Sequence, residues 1–321
     1  MKTYPIKQII YQSPDKKDCI YTAENGVNIW DVTIDVGIGE EVYIALLSDL
    51  HYNYCNEEDF ADADPVLMST YEHRLWVRNA ESVPTIRNCL AMTEDADIHI
   101  FNGDTLDYLS KGAMELMNRE IWERYPECIA TLGGHEISRQ MQGKVPDTMS
   151  REEKLEILEA YWRHDIYYIS KVIKNKVMII GFLNDNGLQT LEQTEKLQAD
   201  LQRARNNGYA VLLFAHEPIA TNNPKHKSVG IADMLLPGDT SGLPHNYFDG
   251  TGNKDKVSLD FYDTIFHNAD IIKGFFAGHA HNDFKLEILA KTPSGEDAVI
   301  PQFVHTSSLY GAGNFIRILV K

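Results

Sequence analysis

The chain has 321 residues, 43% hydrophobic and 24% charged, with 47 acidic against 30 basic side chains and a formal net charge of −17. That balance excludes a disordered chain, and the length fits one large α/β domain or two small ones with a full core. So acidic a surface repels a nucleic-acid backbone, which argues against a broad nucleic-acid footprint but not against one phosphate drawn to a local cation site.

The start, "MKTYPIKQII", lacks the apolar run of a signal peptide, and no segment approaches the ~18 uninterrupted apolar residues of a membrane span. Four scattered cysteines without a Cys-x-x-Cys pair read as reduced thiols. The expectation is therefore a cytoplasmic protein with no membrane partner, although a trimmed leader would leave the same sequence. Residues 1 to 40 form a β-rich segment of short alternating runs, "IKQIIYQ", "DCIYTAE" and "NIWDVTIDV". "EVYIALLSD" comes next as a continuous apolar run, as a strand buried on both faces requires. Helical stretches from Trp76 to Met92 and from Lys111 to Arg124 lead to the strands "ADIHIFNGD" and "ECIATLGG". This alternation is that of βαβ units. Ser150 with Glu153, and Thr190 with Gln193, cap two further helices, the second ending at Gly208. "KVMIIGFLND", "YAVLLFAHE", "IIKGFFAGHAH", "DFKLEIL", "AVIPQFVH" and "FIRILV" complete the strands. Tyr52 to Arg74, Gly143 to Met149, and residues 218–254 read as inserted loops, the last a candidate lid. The whole, 1–321, is expected to be a single domain.

Chemistry-bearing residues stand at the ends of five apolar runs: Asp49 and His51 in "LLSDLHYN", Asp104 and Asp107 in "IFNGDTLDY", His135 in "LGGHE", His216 in "LLFAHEP", and His279 and His281 in "FFAGHAHND". Carboxyl ends of parallel strands converge on one edge, where sites form. In an extended chain, residues two apart point to one side, so each spaced pair is expected to grip one metal region. Imidazole and carboxylate without thiolate suit zinc, iron or manganese. Asp104 is the candidate bridge between two such ions. Any one of these elements alone is more often structural than catalytic; the ordered set is not.

The set resembles the calcineurin-like metallophosphoesterases, whose pattern is Asp-x-His, Gly-Asp-x-x-Asp, Gly-Asn-His-Asp/Glu, a lone His and Gly-His-x-His. Here these are "DLH", "GDTLD", "GGHE", "AHE" and "GHAH", spread from about Val42 to His281. The resemblance implies an α/β fold of two mixed β-sheets packed as a sandwich flanked by helices, a four-layer αββα arrangement. It implies a first metal on Asp49, His51 and His281, a second on His216 and His279, and Asp104 between them. His135 would be the acid at the leaving group, oriented by Asp107. The cofactors would be two divalent or trivalent ions (Mn, Fe or Zn), and the substrate a small phosphate ester, mono- or diester. Gly134 stands where the family has its metal-ligating asparagine, so the second ion is expected to be weakly held, with Asn53 or Glu136 as conceivable substitutes. Tyr108 comes after Asp107 where the protein phosphatases have arginine, which disfavours a phosphoprotein substrate. Tyr52, Tyr54 and His245 are candidate rim residues, and Arg139 a candidate phosphate contact. Two other readings stay open: a metal-binding regulatory or binding module that has lost turnover, which Gly134 favours, and a metal hydrolase acting on a non-phosphate bond.

Overall fold

The computed structural model describes residues 20–74, 82–141, 143–219, 256–281 and 283–321. Twelve strands among them form two six-stranded mixed sheets. The first has the order β1 (Ile20–Glu24), β2 (Val27–Ile34), β12 (Asn314–Val320), β3 (Val42–Leu47), β4 (Ile98–Asn102), β5 (Ile129–Thr131). The second runs β10 (Phe284–Lys291), β11 (Asp297–Val304), β9 (Ile272–Ala277), β8 (Ala210–Phe214), β7 (Val177–Phe182), β6 (Tyr168–Ile173). β3, β4 and β5 are mutually parallel, as are β7, β8, β9 and β11.

Period-two alternation divides the core. Val42, Ile44 and Leu46 of β3 share a cluster with Leu212 and Phe214 of β8, which fills the space between the sheets. Val211 and Leu213 of β8 turn the other way. They pack with Leu197, Leu201 and Ala204 of a helix at Leu191–Asn207 and with Phe261 and Ile265 of one at Lys256–Phe266. On the outer face of the first sheet, Ile86 and Leu90 (helix Ser82–Ala91) and Leu155 and Leu158 (helix Arg151–Tyr161) join Leu47 and Phe101. The result is the expected sandwich of two mixed sheets flanked by helices. Both anticipated capping boxes form, and Gly208 ends its helix at φ +70°.

Several expectations need correction. The segment from Tyr52 to Arg74 is not a loop. It holds α1 (Glu57–Asp62), capped by Asn56, and α2 (Pro65–His73), capped by Asp64. Its acidic residues, which read as loop polarity, are in part these caps and first turns. The helix expected over Lys111–Arg124 is α-helical only at Lys111–Met117 and continues as a π-turn, Asn118–Trp122. β6 and the helix at Lys256–Phe266 were not anticipated; β6 is a half-exposed edge strand with weak apolar patterning. The helix expected from Trp76 is observed from Ser82, residues 75–81 lying outside the described chain. Residues 1–19 lie outside it too, as does the candidate lid 218–254 with His245, apart from Pro218 and Ile219. Among the described residues no helix is long and apolar enough to cross a membrane.

Candidate metal centre

The carboxyl ends of the two sheets are stitched together by one buried amide. Asn102, last residue of β4, donates through Nδ2 to the carbonyls of Ala215 (3.0 Å) and Phe276 (3.1 Å), the first just past β8 and the second within β9. Its own carbonyl accepts from His216 Nδ1 (2.9 Å) and Ser48 Oγ (3.1 Å). A polar side chain at the end of β4 thus closes the edge on which Asp49, His51, Asp104, Asp107, His135, His216, His279 and His281 stand.

The backbone there is not extended. β3 stops at Leu47 and β9 at Ala277, and Asp49, His51, Asp104, His279 and His281 all have φ between +47° and +68°. Left-handed non-glycine residues are uncommon and cluster where surrounding structure enforces them. The pairs Asp49/His51 and His279/His281 therefore converge through left-handed kinks, not through the pleat of a strand as the spacing suggested. Two main-chain bonds and one side-chain bond hold the first kink: Asp49 N–H to Gly103 O (3.0 Å), His51 N–H to Asp104 O (2.8 Å), and Ser307 Oγ–H to Asp49 O (2.7 Å). Gly278 is obligatory, since a Cβ there would lie 1.9 Å from Ser48 Oγ and 2.5 Å from Asp49 Oδ2.

Two groups of ligand atoms result. Asp49, His51, Asp104 and His281 each bring one donor atom within 4.8 Å of the others, and so do Asp104, His216 and His279. Asp104 belongs to both. His281 Nε2 lies 3.0 Å from Asp49 Oδ1 and 3.1 Å from His51 Nε2; His216 Nε2 lies 3.1 Å from Asp104 Oδ2 and 3.3 Å from His279 Nδ1. A third group joins His51, Asp107 and His135. His135 Nδ1 is 2.8 Å from the Asp107 carbonyl and 3.4 Å from its Oδ1, while Nε2 faces Asp104 Oδ2 at 3.9 Å. Asp49, Asp104 and Asp107 are buried, whereas the side chains of His135 and His281 keep 17% and 28% exposure and form the open side.

The ring tautomers are set by their partners. His216 Nδ1 faces a carbonyl and His51 Nδ1 a carboxylate, Asp107 Oδ1 at 3.1 Å, both of which can only accept. Each ring therefore spends its Nδ1–H outward and turns Nε2 inward, where a proton or an ion takes its lone pair. The electrostatics match. Burial alone would lower the His216 pKa, but the Asp104 carboxylate outweighs it and holds it well above the ordinary histidine range. Burial would raise Asp104 and Asp49, yet the facing imidazoles hold both below the carboxylate range. His279 is pushed down to about 4 by burial and by His216. The cluster favours positive charge at His216.

The remaining sequence candidates land elsewhere. Tyr52 is 1% exposed, its ring in the core and its N–H on Thr105 O, so it is no rim residue. Tyr54 is 47% exposed. Arg139 pairs with Asp64 and Asp147 instead of facing the cluster. Asn53 sits on Asp107 Oδ2 (2.8 Å), and Glu136 accepts the N–H groups of Asp104, Leu106 and Gly133. Glu136 does not belong to the Asp104–His216–His279 group, whose histidine and carboxylate members among the described residues are these three. Glu136 is pushed up to about 7 by burial and by Asp104. A Cβ on Gly134 would meet nothing within 4 Å. Sequence reasoning missed Asn102, Tyr310, whose hydroxyl is 2.7 Å from His281 Nδ1, and Arg74, on Asp107. Only Asn102 carried a signal, a polar residue closing an apolar run.

The family model described as calcineurin-like phosphoesterase matches residues 42–283. No curated protein matches the chain. Among solved structures, a dimetal phosphatase from Danio rerio is 14% identical, with 83% of this chain and 87% of that one covered and a TM-score of 0.40. A protein described as a 5′-nucleotidase from Staphylococcus aureus is 13% identical, over 84% of this chain but only 55% of that one, with a TM-score of 0.36. At these values neither likeness bears on substrate.

Proposed function

This chain belongs to the calcineurin-like phosphoesterases, and from that premise we propose a two-metal hydrolase of a small phosphomonoester or phosphodiester with His135 as general acid. The observation that carries the reading is the pair of ligand groups sharing Asp104, with the His135 ring beside them. Inward-facing imidazole lone pairs and buried carboxylates fit hard-to-borderline cations such as Mn, Fe or Zn. Asp49, His51, Asp104 and His281 would hold one ion, and Asp104, His216 and His279 the other. When bound, the pair supplies Lewis acidity toward the phosphoryl oxygens and lowers the pKa of the attacking water. The chain's own part is proton delivery. As water oxygen bonds to phosphorus, the ester P–O bond breaks, and the His135 Nε2 proton passes to the departing oxygen. Because Nδ1–H is committed to the Asp107 carbonyl, that proton exists only on the imidazolium, which the Asp107 carboxylate stabilises.

Gly134 gives the rival reading, a binding module without turnover, its specific support. A side chain has room at that position. Gly134→Asn is expected to tighten the second ion by roughly 10–100-fold, the scale of one well-placed polar group at a metal. The check is a manganese titration of aryl phosphodiester and phosphomonoester hydrolysis by both proteins. Turnover by the unaltered chain supports the enzyme; silence at every manganese concentration, relieved by asparagine, marks a disabled site.

Metal binding should also depend on pH in a stated direction. His216 holds its proton to unusually high pH, and an incoming ion must displace it. Apparent manganese affinity is therefore expected to climb with pH through that raised value and level off above it. The metal-free protein should conversely lose, over the same rise, the stability that the raised pKa confers below it. Calorimetry in buffers of different ionisation enthalpy counts the released proton; zero release would contradict the assignment of His216.

A further inference from the structure

Asp107 faces both His51 and His135: its carboxylate Oδ1 lies 3.1 Å from His51 Nδ1, while its main-chain carbonyl accepts from His135 Nδ1 at 2.8 Å. The carboxylate is gripped from behind by a residue 33 positions earlier. Arg74 Nε donates to Asp107 Oδ2 at 2.8 Å, and its NH2 group donates to Oδ1. The arginine side chain is 5% exposed and the carboxylate fully buried. Asn53 Nδ2 adds a second donor to Oδ2 at 2.8 Å and also reaches the Arg74 carbonyl at 3.2 Å. We propose that Arg74 is a positioning residue for the acid: it fixes the Asp107 carboxylate so that Oδ1 stays beside the His135 imidazolium, whose Nδ1–H bonds the Asp107 main-chain carbonyl. The inference rests on reading His135 as general acid.

The geometry favours orientation over mere neutralisation. A guanidinium fork bonded to both oxygens defines the carboxylate plane, which a lysine ammonium at the same place does not. With Oδ2 taken by Arg74 and Asn53, Oδ1 is the oxygen that faces His51 Nδ1 at 3.1 Å and His135 Nδ1 at 3.4 Å. A buried ion pair is poor evidence of stabilisation, because two charges must leave water to form it. Its contribution here is a fixed direction.

The helices α1 and α2 hold Arg74 in place from both sides. Asp59 of α1 accepts the N–H groups of Lys111 (3.0 Å) and Gly112 (2.8 Å), locking α1 onto the start of the helix at Lys111–Met117. Thr70 of α2 donates to Arg139 O (2.9 Å), and Asp64 pairs with the Arg139 guanidinium, tying α2 to the segment just after His135. Arg74 closes α2 with its N–H on Thr70 O at 2.9 Å. The insertion thus touches both sides of the Asp107–His135 pair. Position 108, beside Asp107, is tyrosine, so the arginine on this carboxylate comes only through the fold.

The test compares Arg74→Lys and Arg74→Ala, each alone and with His135→Ala, at saturating manganese on an alkyl and a 4-nitrophenyl phosphate ester. The 4-nitrophenolate leaves without a proton and so does not need the acid. Arg74→Lys is expected to lower kcat on the alkyl ester roughly 10–100-fold, the scale of partners that orient a site residue, and to leave the 4-nitrophenyl ester within about threefold. In the His135→Ala background it should add nothing, since the two then act through one step. In metal-free protein the His135 Nδ1–H resonance should also move in Arg74→Lys. Arg74→Lys keeps a cation opposite Asp107 and carries the test if Arg74→Ala does not fold. Equal losses on both esters, or an undiminished loss in the His135→Ala background, would mean that Arg74 acts through the fold or through His51, which the same Oδ1 faces, and would overturn the inference alone. If His135→Ala itself hits both esters equally, the general-acid reading falls first and this inference with it.

Discussion

Replacing Asp104 by asparagine is expected to remove most turnover, roughly 10³–10⁴-fold, together with bound metal at both positions. Asp104 is the one residue common to the two ligand groups, and it is 2% exposed. It also accepts the His135 N–H at 3.1 Å and lies 3.1 Å from His216 Nε2. Asparagine keeps the shape but removes the anion and turns an N–H2 group toward one of the two ligand groups. A loss of about 4–6 kcal/mol of transition-state stabilisation, the several kcal/mol a bound cation supplies, corresponds to that factor at about 1.4 kcal/mol per decade. The check combines kcat/KM at saturating manganese with metal content after gel filtration. His279→Ala is the internal comparison, because it belongs to one group only and should cost one equivalent. Two retained equivalents in Asp104→Asn would remove Asp104 from the bridge.

The second large effect is that of His135→Ala on poor leaving groups. General acid catalysis contributes about 10²–10⁴-fold, and the loss should fall on alkyl esters and largely spare 4-nitrophenyl esters. The surroundings set the direction of the pH dependence. Without metal, burial would lower the His135 pKa, but Asp104 and then Asp107 outweigh it and raise it. The proton-donating form is present at low pH and is lost as pH rises through the pKa of His135. Alkyl-ester turnover should decline along that limb in the native chain, and His135→Ala should lack the limb altogether. A pH–rate profile on both esters checks this; an unchanged alkaline limb in His135→Ala would assign it to another group.

Much of this protein is legible in one dimension, for a physical reason. Parallel strands buried on both faces must be continuous apolar runs, so "VYIALL", "IHIFN", "VLLF" and "IKGFFA" announce themselves, and the residues just past each run must stand at the sheet's edge. That is why Asp49, His51, Asp104, Asp107, His135, His216, His279 and His281 could be named in advance and are found together. Local chemistry was equally readable at Ser150, Thr190 and Gly208, because a cap involves residues only three or four apart.

The family, the paired sheets and the identity of the residues at the shared edge are therefore properties of the sequence, since each depends on composition within a run or on order along the chain. How those residues meet is a property of the packed molecule. The left-handed φ of Asp49, His51, Asp104, His279 and His281 is imposed by bonds to distant segments, Gly103 and Ser307 among them, and no spacing rule encodes it. Asn102 acts across 113 and 174 residues of chain, and Arg74 meets Asp107 across 33. Tyr52, legible as a rim residue, was drawn inside because its backbone pairs with Thr105 and Asp107. Contacts of that kind depend on which surfaces the fold brings together, and that is settled when the two sheets pack, not when the residues are ordered.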